Sequence, residues 1–204
     1  MRYLLCVVSS FLVTVSAWAE ADLAAGKAAY GTCVACHGAA GEGNEALNSP
    51  VLAGLDAAYL ARQLKHFKSG VRGGAGDTLG MQMRGMAATL ADDAAIANVS
   101  AYIAAMPNPG LKTEIEADIR NGEVQYNAAC GACHGATAEG NPVLNAPRLA
   151  GQHISYIERQ YRNFGAGVRG NHPDDRYGRQ MKMMASMLAT EKDIKDVMAF
   201  IAAQ

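Results

Sequence analysis

Two short runs carry the most specific chemistry in the chain. Cys33-Val34-Ala35-Cys36-His37 and Cys130-Gly131-Ala132-Cys133-His134 each set two thiols three residues apart, with an imidazole directly after the second. Two thiols so spaced at the start of a helix can each form a thioether with a vinyl group of one haem, and the adjoining histidine then meets the iron from one face. Other uses of the same residues fit less well. A thioredoxin-like redox pair needs an α/β setting and gains nothing from the histidine. Structural zinc needs four ligands in one place, so the two motifs would have to converge. A disulfide between cysteines only three apart closes a tiny, strained loop. Two copies of the motif therefore predict two covalently bound c-type haems held by Cys33, Cys36, Cys130 and Cys133, with His37 and His134 on the irons.

An iron with one histidine has a second axial position, and a methionine thioether there, soft and neutral, favours the ferrous state. Met81, Met83 and Met86 follow the first motif, and Met181, Met183, Met184 and Met187 follow the second. The surrounding sequence narrows the choice because it repeats. Cys33 and Cys130 lie 97 residues apart, and at that offset Pro50, Leu52-Ala53-Gly54, Tyr59, Arg62, Gln63, Phe67 and Gly70-Val71-Arg72-Gly73 all recur. After one inserted residue the register becomes 98 and pairs Met83 with Met181, Met86 with Met184, Leu90 with Leu188 and Ile96 with Ile194. Met81, Met183 and Met187 align with Arg179, Gly85 and Thr89, so only two methionine pairs are matched. Self-similarity at a fixed period marks two copies of one structural unit.

Each unit reads as helical. A short segment, Leu23 to Tyr30 or Ile115 to Asn127, leads into the cysteine motif, and a loop rich in Gly, Asn and Pro follows. A middle helix carries Tyr59, Leu60, Leu64 and Phe67, or Tyr156, Ile157, Tyr161 and Phe164, at helical spacing. A last helix spans about Asp92 to Ala105, and Glu191 to Ala203. No convincing period-two strand is present, so the class is all-α. Met106-Pro107-Asn108-Pro109-Gly110 interrupts the helical pattern, because its prolines remove backbone donors. The expected organisation is a leader over 1–19, a first module over 20–106, a linker over 107–113 and a second module over 114–204.

The leader is read from Arg2, the apolar run Leu4 to Val15 and the small-residue end Ala17-Trp18-Ala19, the pattern of a cleavable secretory signal. Cys6 lies within it and is discarded with it. The run is short for a membrane span of about 20 residues, and nothing later is apolar enough to be one. The mature chain is expected in the periplasm, with peripheral membrane association left open. With a formal net charge of −1 over 204 residues, nucleic acid is not an expected partner. Small modules bury little surface and call for a staple, which a covalent haem supplies. Lys65, Lys68, Arg72, Arg159, Arg162 and Arg169 offer a docking face, with a solvated helix surface the plainer reading. His66, His153 and His172 have no matched histidine in the other module and are read as surface or packing residues.

The paired Cys-x-x-Cys-His motifs, the two Pro-x-Leu-Ala-Gly segments and the late methionines resemble the cytochrome c4 family, diheme proteins made of two tandem class I cytochrome c domains related by internal duplication. The resemblance covers nearly all of the mature chain. It implies Met83 and Met181 as the sulfur ligands, seven residues before Leu90 and Leu188, and leaves Met86 and Met184 as packing residues. It also implies that the carbonyls of Pro50 and Pro147 accept a hydrogen bond from the ring nitrogen of each histidine that does not bind iron. The implied function is electron carriage without catalysis, from a quinol-oxidising complex (quinol-cytochrome c reductase) towards a terminal oxidase. Two rival readings are an electron-accepting subunit of a periplasmic dehydrogenase and a diheme enzyme such as a peroxidase.

Overall fold

The computed structural model describes residues 21–204, so the expected leader lies outside the described residues. Ten α-helices are present among them: α1 (Leu23–Tyr30), α2 (Val34–His37), α3 (Ala57–Ser69), α4 (Thr78–Ala87) and α5 (Asp93–Ala104) in the first half, then α6 (Ile119–Ala129), α7 (Gly131–His134), α8 (Ile154–Gly165), α9 (Arg176–Met184) and α10 (Glu191–Ala202) in the second. Among the described residues, pairing of extended backbone is limited to isolated bridges. The all-α duplication is therefore seen directly, helix for helix.

Aspartates start most of these helices. Asp22, Asp56, Asp77, Asp92, Asp118 and Asp175 each accept a hydrogen bond from a backbone N–H of the first turn, a cap that contributes about 1 kcal/mol. The cap also explains where one expectation fails. The helix expected from Ile115 begins at Ile119 instead, because Asp118 caps it, and Ile115 lies in the preceding irregular segment, packed against the second core. Helices α4 and α9, which carry the methionines, are capped by the buried Asp77 and Asp175.

In each module the first and last long helices cross closely, α1 on α5 and α6 on α10. The crossing point is a glycine. A Cβ on Gly26 would stand 2.2 Å from the Asn98 carbonyl oxygen, and one on Gly122 would stand 2.0 Å from that of Asp196. The aromatic pairs Tyr30 with Tyr102 and Tyr126 with Phe200 pack beside the crossings, at centroid separations of 5.7 and 5.0 Å. The two cores are separate, one around Tyr30, Ile96 and Val99 and the other around Tyr126, Val197 and Ile201.

The modules meet through a pseudo-twofold set of polar contacts. Arg62 reaches Asn145 Oδ1 and its carbonyl at 2.8 and 3.1 Å, and Arg159 reaches Asn48 Oδ1 and its carbonyl at 2.9 Å each. Between them Arg72 donates to Gln63 and Gln160, while Arg169 donates to Gln160 and Gln63. Arg72 and Arg169 are 7% and 8% exposed and stack on Phe67 and Phe164, so their charge is met by neutral amides and ring faces. This corrects the docking-face and solvated-surface readings for Arg72, Arg159 and Arg169, which belong to the contact between modules. Lys65 and Arg162 do lie on exposed helix surface, paired with Asp93 and with Glu158 and Glu191. Lys68 caps the carbonyls of Leu90 and Ala91.

Candidate functional site

Each cysteine motif forms a single helical turn directly after the first long helix of its module. In the first, His37 N–H donates to the Cys33 carbonyl at 2.9 Å; in the second, His134 N–H donates to Cys130 at 3.0 Å. The turn puts the two thiols of each pair on one side, the first half-buried and the second exposed, and all four are free. Burial raises the thiol pKa of Cys33, and pushes that of Cys130 up to about 11. The chain reverses after each histidine at Gly38 or Gly135, both at positive φ. A buried tyrosine secures each reversal, with Tyr30 Oη donating to the Gly38 carbonyl at 2.7 Å and Tyr126 Oη to that of Gly135 at 2.9 Å. Burial pushes the Tyr30 phenol up to about 12 and raises that of Tyr126 as well.

Both histidines are buried, at 5% exposure. His37 Nδ1 lies 3.0 Å from the Pro50 carbonyl and His134 Nδ1 lies 2.9 Å from that of Pro147. A carbonyl oxygen only accepts, so Nδ1 carries the proton and Nε2 presents a bare lone pair, as an iron ligand must. Burial lowers the pKa of both rings, and the bond to the proline carbonyl opposes it.

The methionines divide by exposure. Met83 on α4 and Met181 on α9 are half-buried, whereas Met81, Met86, Met183, Met184 and Met187 are exposed. Further apolar side chains, Val34 and Leu47 in the first module and Val143 and Leu144 in the second, also stand exposed on the segments around the motifs. Apolar surface of this extent beside paired thiols and a buried neutral imidazole fits a large apolar macrocycle carrying iron. No group of three or more His, Cys, Asp or Glu converges to hold a bare metal ion among the described residues, which removes the shared zinc site. The remaining histidines lie elsewhere. His66 faces Asp175 of the other module with Nδ1 at 3.7 Å, His153 precedes α8, and His172 sits on the surface beside Asp174.

Two small helical units, each presenting Cys-x-x-Cys-His on a tight turn, define the class as a tandem cytochrome c. The Cytochrome c family model matches twice, over residues 23–107 and 119–204. Cytochrome c4 of Pseudomonas aeruginosa is 33% identical over 98% of this chain and 97% of its own length. The thiosulfate dehydrogenase electron acceptor of Thiomonas intermedia is 37% identical over 76% and 72%. Among solved structures, reduced cytochrome c4 from Pseudomonas stutzeri superposes with a TM-score of 0.75 at 29% identity, covering 90% of this chain and 99% of that one. The chain belongs to the cytochrome c4 family. It is an electron carrier with two covalently bound haems.

Proposed function

We propose that this chain carries single electrons through the periplasm from a quinol-oxidising complex towards a terminal oxidase. The observation that supports it most is the matched pair of sites, each joining a buried neutral histidine, hydrogen-bonded to a proline carbonyl, to a half-buried methionine on α4 or α9. Cys33 and Cys36 would hold one haem and Cys130 and Cys133 the other, with His37 and Met83, and His134 and Met181, as axial ligands. Bound there, haem supplies a one-electron ferric–ferrous couple. The protein keeps the ring nitrogens in one protonation state, excludes water and sets the potentials through ligand type and burial. With both axial positions filled, neither site is open for peroxide or oxygen chemistry, and the chain acts as a carrier without catalysis. Residues 20–106 and 114–204 form the two modules, joined by 107–113. No helix among the described residues is long and apolar enough to cross a membrane.

The test is carbon monoxide added to the fully reduced holoprotein. Closed sites give slow binding to a small fraction of haem; rapid, stoichiometric binding at either haem contradicts the reading. A second partner is favoured by the likeness to the thiosulfate dehydrogenase electron acceptor. It is also supported by superposition, at a TM-score of 0.69 and 28% identity, on 40% of a thiosulfate dehydrogenase chain from Marichromatium purpuratum. Reduction rates with a quinol-cytochrome c reductase and with a thiosulfate dehydrogenase, measured side by side, separate the two donors.

A further inference from the structure

Gln152 of the second module grips the first module at one residue, Val51, directly after the proline whose carbonyl faces His37. Its Oε1 accepts from Val51 N–H at 2.8 Å and its Nε2 donates to the Val51 carbonyl at 2.8 Å. Both residues are buried, Val51 at 1% and Gln152 at 8% exposure. Val51 N–H belongs to the same peptide unit as the Pro50 carbonyl, the acceptor of His37 Nδ1–H. A continuous chain of donors and acceptors thus runs from His37 Nδ1–H through the Pro50–Val51 peptide to Gln152 Oε1, and each bond in such a chain polarises the next.

The second module has no counterpart. The repeat places Leu55 where Gln152 stands and Arg148 where Val51 stands. Leucine offers no polar atom, and Leu55 packs into its own core. An open crevice lined by Leu55, Asp56, Gly140 and Arg148 occupies this side of the contact.

We infer that Gln152 is a positioning residue for the axial histidine of the other module, strengthening the His37–Pro50 hydrogen bond and thereby lowering the potential of the first haem and not the second. The inference rests on His37 being an iron ligand. A stronger bond at Nδ1 gives the imidazole more imidazolate character, makes it a more basic ligand and favours ferric iron. One module thereby tunes the iron of the other through a contact made on one side only.

Gln152→Met keeps the length of the side chain and removes both hydrogen bonds to Val51, together with the one that Oε1 accepts from His153 N–H, while Gln152→Glu keeps the acceptor for Val51 N–H. The readouts are the ring Nδ1 proton resonances of the ferrous holoprotein and the separate midpoint potentials. In Gln152→Met the His37 proton moves upfield and the first haem's potential rises, with the His134 proton and the second potential unchanged. In Gln152→Glu the His37 proton returns to its wild-type position or beyond. The proposal is overturned if the His37 proton stays in place in Gln152→Met, if His37 and His134 move together, or if the glutamate variant behaves like the methionine one. The wild-type spectrum separates the underlying reading from the proposal. A His37 ring lacking the large upfield ring-current shifts of an axial ligand would overturn both, whereas a shifted ring indifferent to Gln152→Met overturns only the proposal.

Discussion

Gly122→Ala probes the helix crossing on which the second module is built. The added methyl would stand 2.0 Å from the Asp196 carbonyl oxygen, 2.5 Å from its carbon and 3.2 Å from Phe200 Cβ. Backbone atoms of α10 cannot rotate away as a side chain would, so α6 and α10 must part by roughly 1 Å or more to reach ordinary contact distance. That movement loosens the Tyr126–Phe200 contact at 5.0 Å and the bonds from Asn121 Nδ2 and Asp118 N–H to Asp196 at 2.7 and 3.0 Å. Overpacking of this kind costs about 1–3 kcal/mol. Alanine in place of glycine within a helix returns about 1 kcal/mol. From the middle of that range the net expectation is a loss of about 1 kcal/mol, which for a module of this size lowers its melting temperature by roughly 4–8 °C. Guanidinium unfolding of the holoprotein, followed by helix circular dichroism and by the haem band of each module, measures it. An unchanged or raised midpoint would show that the crossing has room for a methyl group and refute the packing argument. Gly26→Ala in the first module, 2.2 Å from the Asn98 oxygen, should show the same sign.

Other outcomes follow from the sites. Tyr30→Phe removes the 2.7 Å bond to the Gly38 carbonyl and should cost about 1–2 kcal/mol at neutral pH by chemical denaturation. The folded Tyr30 phenol keeps its proton to about 12 against an ordinary value of 10.0. Its contribution is therefore present below pH 10 and lost as pH rises towards 12, so the variant should show a smaller alkaline loss of stability than the wild type. Met83→Leu and Met181→Leu should each abolish the sulfur-to-iron charge-transfer band of one haem and lower that haem's potential. Met86→Leu and Met184→Leu should leave the band intact and cost less than about 1.5 kcal/mol. Replacing Cys33 and Cys36 together by serine should leave the first module poorly folded by circular dichroism, because so small a unit needs the attached group as part of its core.

The duplication and the motif were legible in the sequence because both are local. Cys-x-x-Cys-His needs one helical turn, and a register of 97 residues needs only alignment. The middle and last helices were legible from apolar spacing, and α3, α5, α8 and α10 lie where Leu60, Phe67, Ile157 and Phe164 and the Asp92 and Glu191 starts suggested. Helices α4 and α9 were harder to read, since Gly80, Gly85 and Gly178 and the polar residues around the methionines blur any periodic stripe. Their aspartate caps, Asp77 and Asp175, were the available signal. The use of Arg62, Arg72, Arg159 and Arg169 was not legible. Repetition pairs each arginine with its equivalent, but the partner in space is Asn145, Asn48 or a glutamine of the other module, and only the docking of the two units reveals it. Gln152 was hidden for the opposite reason, since Leu55 stands at its equivalent position and the repeat carries no signal there.

The most direct test of the account is a spectroelectrochemical titration of the intact holoprotein, following the sulfur-to-iron charge-transfer band together with the haem bands. Two covalent haems, each held by a histidine and a methionine, predict two one-electron steps, with half of the sulfur band lost on reduction in each. Uptake of only one electron in total, or reduction of either haem that leaves the sulfur band unchanged, would contradict a carrier with two matched and closed sites.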